Sequence, residues 1–418
     1  MSITSIPGLA PVPDRPAAPA PRADVPPQQI QRGTPAYRQV SIALFLAGFS
    51  SFSLLYCVQP LLPAFAQSFG ISPASASLAL SLTTGALAFA ILAAGAFSQA
   101  LGRRGLMFAS MALAAVLNMA VALSPSWNML LVTRLAEGLV LGGVPAVAMA
   151  YLAEEIDPRH LGKAMGLYVA GTAFGAMVGR VGMGVLTELT SWRGAMGILG
   201  IVGLAAALGF VALLPPSRNF VVQRGFRPRY HLATWGGHLR NTRLARLFAV
   251  GFALTSVFVT MFNYTGFRLT DAPYGLSQTA IAMVFLAFAF GIVSSSMAGG
   301  LADRFGRRLP LAAGVLIMVA GVLVTLAQPL PLIILGIVMV TVGFFIAHSV
   351  VSGWIGRLAG AAKGHASSLY LLFYYLGSSV TGSVGGWFWS HGGWPAVVML
   401  TGALGVLGLV LALTVREE

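Results

Sequence analysis

The chain has 418 residues, 57% of them hydrophobic and only 9% charged, with a formal net charge of +14. A soluble globular chain carries about 25% charged residues, so this composition excludes a soluble domain. It reads instead as a polytopic membrane protein. The positive charges fall in loops on one side, which argues against nucleic acid as a partner, and the single cysteine, Cys57, excludes an internal disulfide or a cysteine metal cluster.

Residues 1–38 are rich in Pro and Ala and lack an apolar stretch of signal-peptide length, about 7–15 residues. They are expected to form a disordered or extended cytoplasmic tail. A bilayer takes about 20 apolar residues to cross, and twelve such runs follow. Six are expected near 39–62, 76–98, 105–124, 127–151, 164–187 and 193–214, and six near 244–266, 277–300, 309–327, 332–355, 366–389 and 394–414. Domain limits follow as an N-terminal bundle over 39–214, a linker over 215–243 and a C-terminal bundle over 244–418. The linker carries Arg218, Arg224, Arg227, Arg229, Arg240 and Arg243 and no acid, so it reads as a cytoplasmic segment along anionic headgroups. Twenty-one of the 25 Lys and Arg residues share its side. By the positive-inside rule both termini are expected in the cytoplasm.

The halves repeat at a shift of 202 residues, with Leu167, Tyr168, Gly175, Gly184 and Trp192 matching Leu369, Tyr370, Gly377, Gly386 and Trp394. Between the eighth and ninth runs lies Gly299-x-x-x-Asp303-Arg304-x-Gly306-Arg307-Arg308, a tight basic turn in which Gly306 lets the chain reverse. A degenerate copy, Gly95-x-x-x-Gln99-Ala100-x-Gly102-Arg103-Arg104, lies in the first half. The intact pattern resembles the signature loop of the major facilitator superfamily at every fixed position. That resemblance implies an all-α membrane protein with twelve transmembrane helices in two pseudo-symmetric six-helix bundles around a central site. It also implies a gate on the cytoplasmic side. When the cytoplasmic ends of the halves meet, Asp303 would lie near the amino end of the fifth span, whose dipole favours an anion. Arg304, Arg307 or Arg308 would then reach Glu154, Glu155 or Asp157. The first-half copy lacks its acid, so its own contact is expected to be weaker.

No phosphate-binding Gly-x-x-x-x-Gly-Lys-Ser/Thr loop, His-Glu-x-x-His or Gly-x-Ser-x-Gly motif is present. The chain is therefore expected to be no enzyme and to need no cofactor or metal. Transport energy would come from an ion gradient or from the substrate's own. Arg134 and Glu137 lie three apart in the fourth run, on one helical face. Each costs about 2.5–3.5 kcal/mol at the bilayer centre, and such residues usually face a wet cavity and carry function. Arg180, in the fifth run, falls at similar depth. An Arg134–Glu137–Arg180 cluster is expected, with Glu137 as the protonatable member. A static ion pair orienting two helices fits the same residues.

Arg134-x-x-Glu137-Gly138 resembles the fourth-span motif of drug:proton antiporters, where the arginine is linked to proton handling. Gly171, Gly175 and Gly179 resemble the antiporter motif of the fifth span, but Ala176 and Arg180 stand where that motif has Pro and Gly. Close glycine-spaced packing explains the three glycines as well. On spans that line the cavity by the resemblance, Tyr56, Gln59, Asn263, Tyr264, His348 and Tyr374 are candidate lining residues, with Trp354, Tyr370 and Tyr375 beside them. Pro60 and Pro63 should bend the outer end of the first span, and His348 is expected to pair with a backbone carbonyl or a nearby serine. Aromatic walls suit amphiphilic or aromatic compounds, including cations. The stretches Asn263–Leu269, Ala347–Ser349 and Tyr370–Ser378 look similar to the acriflavine-sensitivity (YnfM-type) branch of bacterial inner-membrane transporters.

These features lead to a monomeric, proton-coupled efflux transporter of the bacterial inner membrane, carrying an amphiphilic drug or sugar-like metabolite. Its partners would be the lipid bilayer, a small-molecule substrate and protons. An uptake symporter for a small organic anion or sugar is the alternative that the excess of arginine over Glu137 favours. A non-transporting receptor or scaffold is a third, against which the intact gate motif argues.

Overall fold

The computed structural model describes residues 29–219 and 228–415; the side chains of residues 95–101, 146, 228 and 361 lie outside the description. The helices are α1 (Pro35–Tyr56), α2 (Leu62–Phe69), α3 (Pro73–Leu101), α4 (Arg103–Ala122), α5 (Trp127–Leu141), α6 (Pro145–Glu155), α7 (Pro158–Leu189) and α8 (Trp192–Leu213) in the first half. In the second half they are α9 (Pro228–Arg240), α10 (Thr242–Thr270), α11 (Gln278–Met283), α12 (Phe288–Phe305), α13 (Arg308–Val324), α14 (Leu330–Leu358) and α15 (Lys363–Thr414). Among the described residues, nine helices are long and apolar enough to cross a membrane. The remaining spans come from three irregular pieces. The fourth span is α5 plus α6, and the ninth is the shorter α13. α15 holds the eleventh and twelfth spans, divided at Gly393, whose φ of 59° breaks the helix. The result is twelve spans in two six-helix bundles.

Helix starts follow local chemistry. Thr34, Ser72, Ser126, Ser191 and Ser277 each accept a hydrogen bond from a backbone N–H of the first turn through the side-chain oxygen. Such caps satisfy donors that a helix leaves unpaired. Pro35, Pro73 and Pro158 occupy first-turn positions, where no N–H is needed. The two basic turns are built alike, with Gly102 at φ 82° and Gly306 at φ 77°, a conformation that side-chain-bearing residues rarely adopt.

Three spans are interrupted, the first, the fourth and the eighth, where a 3-10 turn, Val284–Ala287, separates α11 from α12. α1 stops at Tyr56 and the chain passes through a short 3-10 turn, Gln59–Leu61, before α2. Pro60 and Pro63 cannot donate backbone hydrogen bonds, which explains the interruption. The fourth span breaks between Leu141 and Pro145 for the same reason. At the other end of the chain's first span, residues 29–34 are not a free tail. Ile30 forms a parallel bridge with Ile156, donating to the Glu155 carbonyl at 2.8 Å and accepting from Asp157 N at 3.2 Å. Part of the basic linker is the helix α9; residues 220–227 lie outside the described residues.

Contacts between the halves gather at the end away from the basic turns. Gln278 Nε2 donates to the Pro60 carbonyl at 2.5 Å, and Thr279 N donates to Glu188 Oε2 at 2.8 Å. Ser379 Oγ donates to the Ser81 carbonyl at 2.6 Å, joining the second and eleventh spans. A Cβ on Gly386 would collide with Ala74, so backbones touch there. At the basic end no hydrogen bond or ion pair joins the halves among the described residues, and Gly299, Gly300, Gly353 and Gly364 have open space where a Cβ would project.

Candidate functional site

Arg134 and Glu137 are wholly buried, and Nη1 of the arginine donates to Glu137 Oε2 at 2.7 Å. The same guanidinium ties three spans together. Nη1 also donates to the Leu54 carbonyl at 3.1 Å, Nη2 to the Leu55 carbonyl at 2.8 Å and Nε to the Ala79 carbonyl at 3.1 Å. The break after Tyr56 explains the bonds to Leu54 and Leu55, because the last carbonyls of a helix lack intrahelical partners. Glu137 Oε1 has no hydrogen-bond partner although it is buried. The carboxylate is thus held on one oxygen and vacant on the other.

Arg180 does not join them, which corrects the expected three-residue cluster. Its Nε donates to Gln59 Oε1 at 2.7 Å and its Nη1 to the Ala176 carbonyl of its own helix at 2.6 Å. Its guanidinium carbon lies 4.1 Å from the Tyr56 ring centre, 4.8 Å from Phe288 and 5.2 Å from Phe285, the last two on the opposite half. The spans that carry the two arginines were legible from the sequence; the direction of each side chain was not. Arg134 points into its own half, whereas Arg180 points at the seam between the halves.

From Gln59 the chain of contacts crosses that seam, since Gln59 Nε2 donates to Asn263 Oδ1 at 2.8 Å. Asn263 Nδ2 and the neighbouring Ser81 Oγ are buried without partners. Tyr264 is a structural residue here, its hydroxyl donating to the Gly382 carbonyl at 2.7 Å. His348 finds neither a backbone carbonyl nor Ser349. Its Nδ1 lies 2.6 Å from the Tyr370 hydroxyl, and Ser349 pairs with Ser295. His348 stacks on Phe344, which stacks on Phe258 at 4.0 Å between ring centres, and Tyr374 borders the same group. Trp354 and Tyr375 are buried. Sequence reasoning missed Phe258, Phe285, Phe288 and Phe344, because a phenylalanine within an apolar run gives no sign of facing the seam.

The basic turns are engaged within their own halves. Arg103 grips Glu154 with two bonds, Nη2 to Oε1 at 2.5 Å and Nε to Oε2 at 3.2 Å. Glu155 Oε1 accepts from Arg218 N and Asn219 N, at 2.8 and 2.9 Å. Asp303 pairs with Arg357 at 3.3 Å, and both side chains are about two-thirds exposed, at 69% and 66%. Exposed pairs of this kind add little to stability. Asp303→Asn is therefore expected to leave the melting temperature of purified protein unchanged, whereas Arg103→Ala lowers it. A larger drop for Asp303→Asn would show that the turn is tied down more firmly than its contacts indicate. The side chain of Gln99, on which the weaker first-half contact depends, lies outside the description.

Asp157 caps α7 and is bound by Arg159, through Nε at 3.1 Å and backbone N at 2.9 Å, and by Gln31 Nε2 at 2.7 Å. Arg159 first, then Gln31, holds its carboxyl well below the usual carboxylate range. A depressed carboxyl adds stability above its unfolded pKa, near about 3.9, and that stability is lost as pH falls through the folded value. Gln31→Ala is expected to lower the melting temperature at pH 7 and to have less effect once the acid is protonated. Equal effects at both pH values would remove Gln31 from the carboxylate's support.

The fold and the seam-facing polar groups define a membrane transporter. The family model "Major Facilitator Superfamily" matches residues 44–293 and 271–418. The chain is 45% identical to the MFS-type transporter YybF of Bacillus subtilis (strain 168), over 88% of this chain and 91% of that protein. It is 43% identical to the inner membrane transport protein YnfM of Escherichia coli (strain K12), over 93% and 92%. At 26% identity it resembles the multidrug resistance protein MdtL of Klebsiella pneumoniae, over 85% and 90%. Among solved structures, a bacterial homolog of the human lysosomal transporter Spinster, inward-facing and unoccupied, superposes with TM-score 0.74 at 14% identity, covering 92% of this chain and 99% of that one. The nucleoside transporter NupG gives TM-score 0.76 at 13% identity, covering 91% and 100%. The chain belongs to the major facilitator superfamily and is a multi-pass membrane transporter, not an enzyme.

Proposed function

We propose that this protein is a proton-coupled secondary transporter of the bacterial inner membrane that exports amphiphilic small molecules by alternating access. The basic turns and both termini lie in the cytoplasm, the seam closes toward the outside, and the protein works as a monomer. One observation carries the reading. Glu137 is fully buried at mid-span, paired with Arg134 on one oxygen and unpaired on the other, so a proton can add without displacing the bond that holds the side chain. A buried acid inside a packed bundle is where a protonation change would be felt by packing. The multidrug name of the MdtL relative supports outward transport of amphiphilic compounds.

In liposomes, Glu137→Gln is expected to abolish substrate flux driven by an imposed pH gradient. Counterflow driven by substrate alone should persist, because glutamine keeps an oxygen for Arg134. Full retention of gradient-driven flux would exclude Glu137 as the proton carrier. A second reading, uptake of a small organic anion, draws on Arg180, which is buried without a carboxylate. Susceptibility to amphiphilic drugs in a deletion strain supports export, and loss of growth on an organic acid supports uptake.

A further inference from the structure

We infer that Arg180 is the docking point for the anionic group of the substrate, an amphiphilic organic carboxylate, and that this group competes with Gln59 for the guanidinium and so loosens the outer closure. The inference rests on the transporter reading and holds for either direction of transport.

Arg180 is 2% exposed. Among the described residues no carboxylate pairs with it, although the other two buried arginines each have one, Arg134 with Glu137 and Arg103 with Glu154. A cation in the low-dielectric interior is costly without a counter-charge. Here it is offset only by a neutral amide, a backbone carbonyl and three aromatic faces. An arriving carboxylate makes shorter, charge-assisted bonds than an amide oxygen can, so it displaces Gln59 Oε1 from Nε. The faces of Tyr56, Phe285 and Phe288 are already covered by the guanidinium. At these three rings a cationic substrate would meet Arg180 head-on. The surrounding Tyr374, Phe344 and Phe258 offer apolar area for the body of the molecule.

Gln59 is the link to the gate. Its oxygen binds Arg180 on the first half and its amide group binds Asn263 on the second, one residue before Pro60, whose carbonyl accepts from Gln278. Asn263 has no other hydrogen bond to hold it at this seam, since its Nδ2 is unpartnered. Releasing Gln59 from Arg180 therefore frees the 3-10 turn that carries both seam contacts. Substrate binding and weakening of the outer closure become one event.

The test uses purified full-length protein with 1-naphthoate and its neutral match 1-naphthamide, followed by isothermal titration. Naphthoate is expected to bind about tenfold or more tighter than the amide, and Arg180→Gln to erase that difference. Gln59→Ala removes the internal competitor and should tighten naphthoate binding several-fold. Gln59→Glu, nearly isosteric, places a resident carboxylate on Arg180 and should weaken it by about tenfold or more. A second readout follows the gate: labelling of Ala74→Cys by a membrane-impermeant maleimide in proteoliposomes. Naphthoate should raise labelling on the wild-type background and leave it unchanged on Gln59→Ala, where labelling starts high. Equal affinity for acid and amide, or naphthoate binding indifferent to Gln59→Glu, overturns the inference. If Glu137→Gln still removes gradient-driven flux in that case, the transporter reading stands alone; if both fail, the seam is not the transport site.

Discussion

Arg134→Leu is expected to destabilise the protein by about 3–5 kcal/mol, the range for breaking one partner out of a buried ion pair. The loss has two parts. Glu137, at 0% exposure, would be left charged and unpaired. The carbonyls of Leu54, Leu55 and Ala79 would lose their arginine donors. The first part dominates, because hydrogen bonds between spans are worth only about 0.6 kcal/mol on average in a bilayer, where the unfolded state also finds partners. The double variant Arg134→Leu/Glu137→Leu removes both charges and should recover much of the stability while remaining inactive in gradient-driven transport. Thermal denaturation in detergent compares the three proteins. A single variant that melts with the wild type would show the pair to be incidental to the fold. A double variant no more stable than Arg134→Leu would move the energy from the charges to the carbonyl bonds.

That experiment also separates the two readings the sequence left open for this pair. As a static ion pair it needs Glu137 Oε2 on Arg134; as a proton site it would use Glu137 Oε1, which has no partner. The two roles would thus fall on different oxygens of one carboxylate. Nothing in the spacing of Arg134 and Glu137 distinguished those oxygens.

The broad architecture was readable because bilayer thickness imposes a run length and because like charges collect in one set of loops. Breaks within spans were readable only where proline removes a donor: Pro60 and Pro63 foretold the turn after Tyr56, and Pro145 could have foretold the gap in the fourth span. The direction of a side chain around its helix axis was not readable. Arg134 and Arg180 lie on consecutive spans, yet one reaches a carboxylate in its own half and the other a glutamine and two rings at the seam. His348 shows the same limit: its partner, Tyr370, comes from another span. Pairing across helices depends on rotation and on how closely backbones approach, and small residues control both.

Gly175→Ala is expected to cost about 1–3 kcal/mol and Gly175→Leu more, through overpacking at the contact between α1 and α7. A Cβ on Gly175 would strike the Phe49 carbonyl, one on Gly171 would lie 2.6 Å from the Phe45 carbonyl, and one on Gly179 2.8 Å from Ser53 Cα. Backbone, unlike the tip of a side chain, cannot step aside, so the helices must part. Ser53 Oγ donates to the Gly175 carbonyl at 2.9 Å, a bond that exists only because the backbones are this close. Alanine's better helix propensity, worth about 1 kcal/mol over glycine, works in the opposite direction and is available without a clash at Gly182. That glycine lies on the same helix and has nothing within 4 Å of its projected Cβ. Gly182→Ala is thus the control, expected to be neutral or slightly stabilising. Transport should suffer in Gly175→Ala beyond the stability loss, because parting α1 from α7 separates Gln59 from Arg180 five residues further along. Equal melting temperatures for Gly175→Ala and Gly182→Ala would mean that the two helices do not meet as closely as their backbones indicate.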